Sequence, residues 1–179
     1  KRLPSTEVLE IGCALARILS LLHQRDILHK DINPANVVIN PTTKQVQLID
    51  FGIASVLSRE NPTARSLNVL EGTLQYMSPE QTGRMNRTLD YRSDLYSLGA
   101  TLYELLTGKP PFSASSLVVM LAKVVGEDPR PPRQIVPSLP IDLETITLKC
   151  LHKEPPQRYD STKALAEDLQ RYIDGDPII

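Results

Sequence analysis

The chain has 179 residues, enough for one domain with a substantial hydrophobic core. Its 20 Lys and Arg residues balance 21 Asp and Glu residues, and this formal net charge of −1 favours neither a nucleic-acid partner nor a membrane surface. We find no signal peptide, and no apolar run approaches the roughly 18 residues of a membrane span. Cys13 and Cys150 lie in apolar helical patterns, which predicts buried thiols in a reducing cytoplasm.

The first predicted element is a helix that begins near Ser5 or Thr6, either of which can cap its N terminus. Apolar residues recur along it at helical spacing: Val8, Ile11, Leu15, Ile18, Leu19 and Leu22. This helix leads directly into the segment that begins at His29.

A β-hairpin is predicted next, from a β-branched run at 36–39, turn residues at 40–43 and an alternating pattern at 45–49. Such a ribbon brings Asn36 and Asp50 to the same end. Amide and carboxylate oxygens are ligands that Mg²⁺ prefers, so the pattern predicts a shared metal site. Asp31, which precedes Asn36 in the same loop, fits a proton acceptor beside an attacking hydroxyl.

The second half of the chain is predicted to be helical after a polar loop at 58–66. A buried helix runs from Asp94 to Thr107 and ends at Gly108, and another helix spans 117–125. Asp142 and Ser161 can cap two further helices. The last helix is expected to end at Gly175 and to turn four residues inward: Leu165, Leu169, Tyr172 and Ile173. The predicted fold class is therefore mainly α, with one hairpin.

Several motifs occur in one order along the chain: His29-Lys30-Asp31 with Asn36, then Asp50-Phe51-Gly52, Gly72-Thr73 before Ser78-Pro79-Glu80, Asp94, and Arg158. Together they resemble the eukaryotic-type serine/threonine protein kinases. The sequences around Asp31 and after Glu80 resemble those of bacterial hybrid signalling proteins in particular. The resemblance implies that residues 1–179 are a kinase C-terminal lobe, a helical bundle with a hairpin that carries the metal ligands. The N-terminal lobe is expected to lie outside this chain.

The resemblance also implies the cofactors ATP and Mg²⁺ and a set of roles for individual residues. Asp31 would orient the hydroxyl of a substrate Ser or Thr, Asn36 and Asp50 would bind Mg²⁺, and Val38 would lie beneath the adenine ring. Thr73 would lie near Asp31. Three structural roles are implied as well: His29 packs on Phe51, Asp94 accepts backbone N–H groups of the catalytic loop, and Glu80 pairs with Arg158. The implied partners are a protein substrate and other modules of a longer signalling polypeptide.

The chain departs from the family at Asn33, where serine/threonine kinases carry a lysine that steadies the γ-phosphate. Losing one cation near developing negative charge is expected to cost about 10²-fold in rate. Lys30 likewise replaces an arginine and lacks its bidentate geometry.

Two other functions therefore remain open. One is a pseudokinase-like scaffold with weak or no transfer. The other is a small-molecule phosphotransferase, against which the segment from Gly72 to Glu80 argues. Ser58, Thr63 and Ser66 are either phosphorylation sites or ordinary loop residues. His23 and His152 have no motif around them and are expected to be surface or packing residues.

Overall fold

A computed structural model of the chain describes residues 2–52, 54–56, 74–83 and 89–179. Helices dominate these residues: α1 Ser5–His23, α2 Arg92–Thr107, α3 Leu117–Gly126, α4 Ile141–Cys150 and α5 Thr162–Asp174. The strands are short: β1 Ile27–Leu28, β2 Val37–Ile39, β3 Val46–Leu48 and β4 Ser55–Val56. The prediction of a mainly helical lobe with a hairpin is confirmed.

The core surrounds α2, which is buried on nearly all of its faces. Helix α1 packs against α2 and α5, and α4 also packs against these two helices. Gly99 allows α2 and α4 to approach closely, because a Cβ at this position would overlap the side chain of Cys150. The sequence predicted a central buried helix here, and its Leu95 and Leu98 are fully buried.

The helix ends follow the sequence prediction in part. Ser161 caps α5 by accepting a hydrogen bond from the Ala164 N–H at 3.1 Å. Gly108 and Gly175 end α2 and α5 in the left-handed conformation, with φ of 77° and 79°.

Two predicted caps are wrong. Pro4 and Pro140 occupy the N-cap positions of α1 and α4, so Ser5 and Asp142 lie inside the first helical turns instead. Proline is compatible with a helix start, because its fixed φ suits the position and no N–H is needed there. The inward position predicted for Ile173 is also wrong, since its side chain is 47% exposed near the end of α5.

The predicted hairpin is present, with β2 antiparallel to β3 and Val37 opposite Leu48. Asn40 starts the turn, and its side-chain oxygen accepts hydrogen bonds from the N–H groups of Thr42 and Thr43. A second small sheet, in which β1 pairs antiparallel with β4, was not predicted. It fastens the chain on the two sides of the loop and hairpin that hold the candidate site.

Among the helices of the described ranges, none combines the length and apolar character needed to cross a lipid bilayer.

Candidate active site

The loop after β1 holds the carboxylate of Asp31 between two amide groups. Nδ2 of Asn33 donates to Asp31 Oδ1 at 3.0 Å, and Nδ2 of Asn36 donates to Oδ2 at 3.0 Å. Both asparagines are buried, with 3% and 8% of their surface exposed. Each also fixes the backbone, because Asn33 Oδ1 accepts from the Ala35 N–H and Asn36 Nδ2 donates to the Asp31 carbonyl. The orientation of the carboxylate is therefore set from both sides.

The hairpin ladder continues to Ile49, the residue before Asp50. The Ile49 N–H donates to the Asn36 carbonyl at 2.9 Å, which continues the ladder past the pair of Val37 and Leu48. Asp50 follows directly and is exposed, with a left-handed φ of 61°. A non-glycine residue in this region is strained, and such residues cluster at functional sites. Asp50 and Asn36 thus lie at the same end of the ribbon.

The donor atoms at this end suit a hard cation. With its Nδ2 directed to Asp31, Asn36 has its amide oxygen available as a ligand, and Asp50 contributes a carboxylate. Within the described ranges, no group of three or more His, Cys, Asp or Glu side chains could hold a metal ion. A site with two protein oxygens matches the way Mg²⁺ binds with substrate phosphates, where the phosphates and water complete the octahedron.

His29 and Phe51 connect the loop to the end of the hairpin. Their rings meet edge to face, with centroids 4.7 Å apart. The Asp31 N–H donates to Nδ1 of His29, so Nε2 carries the proton and donates to the Ile49 carbonyl at 3.2 Å. The expected packing of His29 on Phe51 is present.

Asp94 is fully buried at the start of α2, and its carboxylate binds the backbone of the loop that carries Asp31. Its Oδ2 accepts from the His29 N–H at 3.0 Å and its Oδ1 from the Lys30 N–H at 2.8 Å. Lys30 has a φ of 68°, so these bonds hold a strained backbone in place. His23 adds a third hydrogen bond, from Nε2 to Asp94 Oδ2 at 2.8 Å.

The role of His23 was missed from the sequence, where no carboxylate or cysteine motif surrounds it. Its side chain is 10% exposed, and it contacts Asp94 rather than solvent. The signal that could have identified it is position, because His23 is the last residue of α1 and lies just before the loop.

Glu80 and Arg158 form the buried pair that the resemblance implied. Arg158 donates from Nη1 to Oε1 at 2.6 Å and from Nη2 to Oε2 at 2.9 Å, and Ser93 Oγ donates to Oε1. Burial raises the pKa of the Glu80 carboxyl, but the hydrogen bonds and charge of Arg158 outweigh it and hold the pKa below its usual range.

Gln81 connects the segment around Glu80 to the loop that carries Asp31. Its Nε2 donates to the Lys30 carbonyl at 2.9 Å, and its Oε1 accepts from the N–H and Oγ of Ser78. Sequence reasoning missed this residue too. Thr73 lies outside the described residues, as do Gly72 and the candidate phosphorylation sites Ser58, Thr63 and Ser66.

Apolar side chains are exposed along the hairpin beside these polar groups. Val38 is 43% exposed, Ile49 42% and Phe51 47%. An apolar surface next to oxygen ligands suits a ligand with both a flat hydrophobic part and an anionic part.

Comparison with known proteins identifies one family. The family described as "Protein kinase domain" matches residues 1–169. The serine/threonine-protein kinase PknB of Mycobacterium leprae is 39% identical over 175 residues, which is 98% of this chain and 28% of that protein. A probable serine/threonine-protein kinase of Streptomyces coelicolor is 37% identical over 178 residues, 99% of this chain and 26% of the relative. A probable serine/threonine-protein kinase of Clostridium perfringens is 36% identical over 175 residues, which is 98% of this chain and 25% of that protein. The chain thus spans about a quarter of the length of these relatives.

Proposed function

Because this chain belongs to the protein kinase domain family, we propose that it transfers the γ-phosphoryl group of ATP to serine and threonine hydroxyls of protein substrates. One observation carries the proposal. The amides of Asn33 and Asn36 fix the Asp31 carboxylate, and Asn36 lies at the same end of the hairpin as Asp50. Phosphoryl transfer depends chiefly on positioning and charge neutralisation, and this arrangement suits both needs. The names of the relatives support serine and threonine as acceptors.

Asp31 orients the acceptor hydroxyl and takes its proton. Each carboxylate oxygen accepts one amide hydrogen bond and keeps a further lone pair, so the group can still receive an O–H from the substrate. The two asparagines hold the carboxylate in one rotamer, which reduces the reorganisation needed when substrate binds. Thr73 is proposed to lie near Asp31.

Asn36 and Asp50 would hold Mg²⁺ through their side-chain oxygens, and the exposed side chain of Val38 would lie against the adenine ring. Bound Mg²⁺–ATP supplies the phosphoryl group and neutralises the charge that develops on it. The packing of His29 on Phe51 keeps the backbone that carries Asp50 in a fixed relation to the backbone that carries Asp31.

Asn33 takes part as a positioning residue rather than as a cation. Its amide nitrogen binds Asp31 and its amide oxygen binds the Ala35 N–H, so both ends of the side chain are engaged. The alternative of a scaffold with little transfer is less well supported, because Asp31, Asn36 and Asp50 are all present. We further propose that residues 1–179 act as a catalytic C-terminal lobe, beside other modules of one polypeptide.

The test is transfer of radiolabelled phosphate from ATP to a generic acceptor, myelin basic protein, by the full-length protein and by its Asp31→Asn variant. We expect a loss of at least about 10²-fold in the variant, since a positioned proton acceptor is removed. Asp26→Asn is the matched control, because Asp26 is exposed outside the site and its left-handed φ of 56° accommodates asparagine. Equal transfer by Asp31→Asn and wild type would exclude catalysis at this site.

A further inference from the structure

The amine of Lys153 lies at the C-terminal end of α3, in an aromatic cage formed by Phe112 and Tyr96. Lys153 is distant from α3 in sequence. Its Nζ donates to the Val124 carbonyl at 2.8 Å. The same nitrogen lies 4.3 Å from the centroid of the Phe112 ring and 5.7 Å from that of Tyr96. Both rings are buried, and the ammonium group of the half-buried Lys153 lies against surfaces that attract cations.

The bond to Val124 compensates for a general weakness of helix ends. The last four carbonyls of a helix have no partner within it, and a cation placed there also favours the helix dipole. Helix α3 buries few of its own side chains, since only Leu121 and Val124 are buried among those that the structure describes. Val118 and Val119 on the same helix are 64% and 47% exposed.

Helix α3 in turn supports the segment that resembles the substrate-positioning loop of kinases. It packs against two short 3₁₀ helices, Leu74–Tyr76 and Pro79–Thr82, which flank Ser78. A displacement of α3 therefore moves the surface on which a protein substrate would be expected to lie. The Lys153 amine contacts α3 directly, through the Val124 carbonyl. Two further links join Lys153 to this segment: Tyr96 packs in one buried cluster with Tyr76, and the Lys153 carbonyl accepts a hydrogen bond from Arg158, the partner of Glu80.

The cage is costly for a charged amine. The pKa of Lys153 is lowered to about 8, chiefly by burial and to a smaller extent by the charge of Arg158, while the carboxylates of Asp128 and Glu127 oppose the shift. The groups that face the amine from the surrounding elements are the Tyr96 hydroxyl of α2, those two acidic residues after α3, and Arg158. A methionine of similar length could fill the same space without desolvating a charge. The desolvation cost therefore offsets part of the stability that the contacts of the amine contribute.

We propose that Lys153 is a positioning residue for protein-substrate binding, which it serves by fixing the C-terminal end of α3 against the cage. The inference rests on the proposed kinase function. It predicts that removing the amine impairs the binding of the protein substrate and leaves ATP binding and the chemical step intact.

The kinetic test compares wild type, Lys153→Met and Lys153→Arg in the full-length protein, with myelin basic protein as acceptor. We expect Lys153→Met to raise KM for the acceptor about tenfold, the equivalent of one charge-assisted hydrogen bond. The values of kcat and of KM for ATP should stay within about twofold. Lys153→Arg keeps a donor and a cation and should restore most of the affinity.

Lys149→Met is the matched control. Lys149 also places its Nζ over an aromatic ring, 4.2 Å from the centroid of Tyr159, but it binds the Ile179 carbonyl and not α3. If Lys149→Met raises KM for the acceptor as much as Lys153→Met, the effect is a general loss of packing and the inference is overturned. An unchanged KM in Lys153→Met overturns it as well.

Hydrogen exchange provides a readout that needs no activity. In Lys153→Met, amides of 117–126 and 74–82 should exchange faster than in wild type, whereas those of α5 should not change. Equal exchange in both proteins overturns the inference. A wild-type protein that transfers no phosphate refutes the proposed function alone, because exchange at 74–82 still decides whether Lys153 positions this segment.

Discussion

Nε2 of His23 donates a hydrogen bond to Oδ2 of Asp94 over 2.8 Å, and the same oxygen accepts the N–H of His29. The last residue of α1 is thereby joined to the first turn of α2 directly beneath the catalytic loop. The other ring nitrogen of His23, Nδ1, is buried and has no hydrogen-bond partner among the described residues. Asp94 thus binds the loop backbone and a side chain of the preceding helix at once.

We therefore expect His23→Ala to destabilise the protein by about 1–3 kcal/mol, because a buried carboxylate loses one of its donors. It should also lower kcat, since Asp94 would hold the His29 and Lys30 backbone less firmly. Thermal unfolding and transfer assays would measure both effects. His152→Ala is the control, because His152 is exposed, and it should change neither quantity. A His23→Ala protein as stable and active as wild type would contradict this role.

The buried pair of Glu80 and Arg158 gives a second prediction. Arg158→Met should cost about 3–5 kcal/mol of unfolding free energy, because Glu80 would remain as an uncompensated buried charge. The double variant Glu80→Met with Arg158→Met should cost clearly less than the sum of the two single changes. Denaturant unfolding of the four proteins measures the coupling, and additive losses would show that the two charges act independently.

Acid should weaken the same pair. The pKa of Glu80 is below its usual 4.5 in the folded state, so the folded protein binds fewer protons than the unfolded chain near this pH. The stability contributed by Glu80 is therefore fully present above about pH 4.5 and is lost as pH falls through the lower, folded pKa. Comparing wild type with the double methionine variant across pH 3–6 isolates this contribution, and parallel curves would refute it.

Lys153 predicts a further rise of stability with pH in the alkaline range. Its pKa is about 8 when folded, against 10.5 for an ordinary lysine, so between these values the unfolded chain binds the extra proton. The stability penalty of the buried charge is fully present below pH 8 and disappears as pH rises to about 10.5. The unfolding free energy of wild type relative to Lys153→Met should therefore increase over this range. A difference that stays constant would mean that the amine is not desolvated.

Asn33 allows a direct test of the missing cation. Asn33→Lys should raise kcat, by up to about 10²-fold, because it restores a positive charge near the transferred phosphoryl group. It should also lower stability by about 1 kcal/mol, since the Ala35 N–H loses its side-chain acceptor. Asn33→Ala is the matched comparison, as it loses the same acceptor and adds no charge. If Asn33→Lys is no faster than Asn33→Ala, the charge is not what limits the rate.

The sequence predicted the elements whose signals are local. The hairpin could be predicted because its turn begins at Asn40 and its strands carry β-branched and alternating residues. Helix α5 could be predicted from its N-cap, Ser161, and from the glycine that ends it, Gly175. The caps of α1 and α4 were assigned wrongly because Pro4 and Pro140 precede residues that are themselves good caps, and a short sequence pattern does not distinguish the two arrangements.

By itself, the sequence determined the helical class, the hairpin, the motif residues Asp31, Asn36 and Asp50, and the family to which they point. Only the tertiary structure decided that His23 binds Asp94, that Gln81 binds the Lys30 carbonyl, and that Lys153 caps α3. These partners are 71, 51 and 29 residues apart. Periodicity and turn chemistry record which way a residue faces within its own element. They carry no information on which distant polar group the packing of helices brings within about 3 Å, because that depends on the side-chain fit of the whole core.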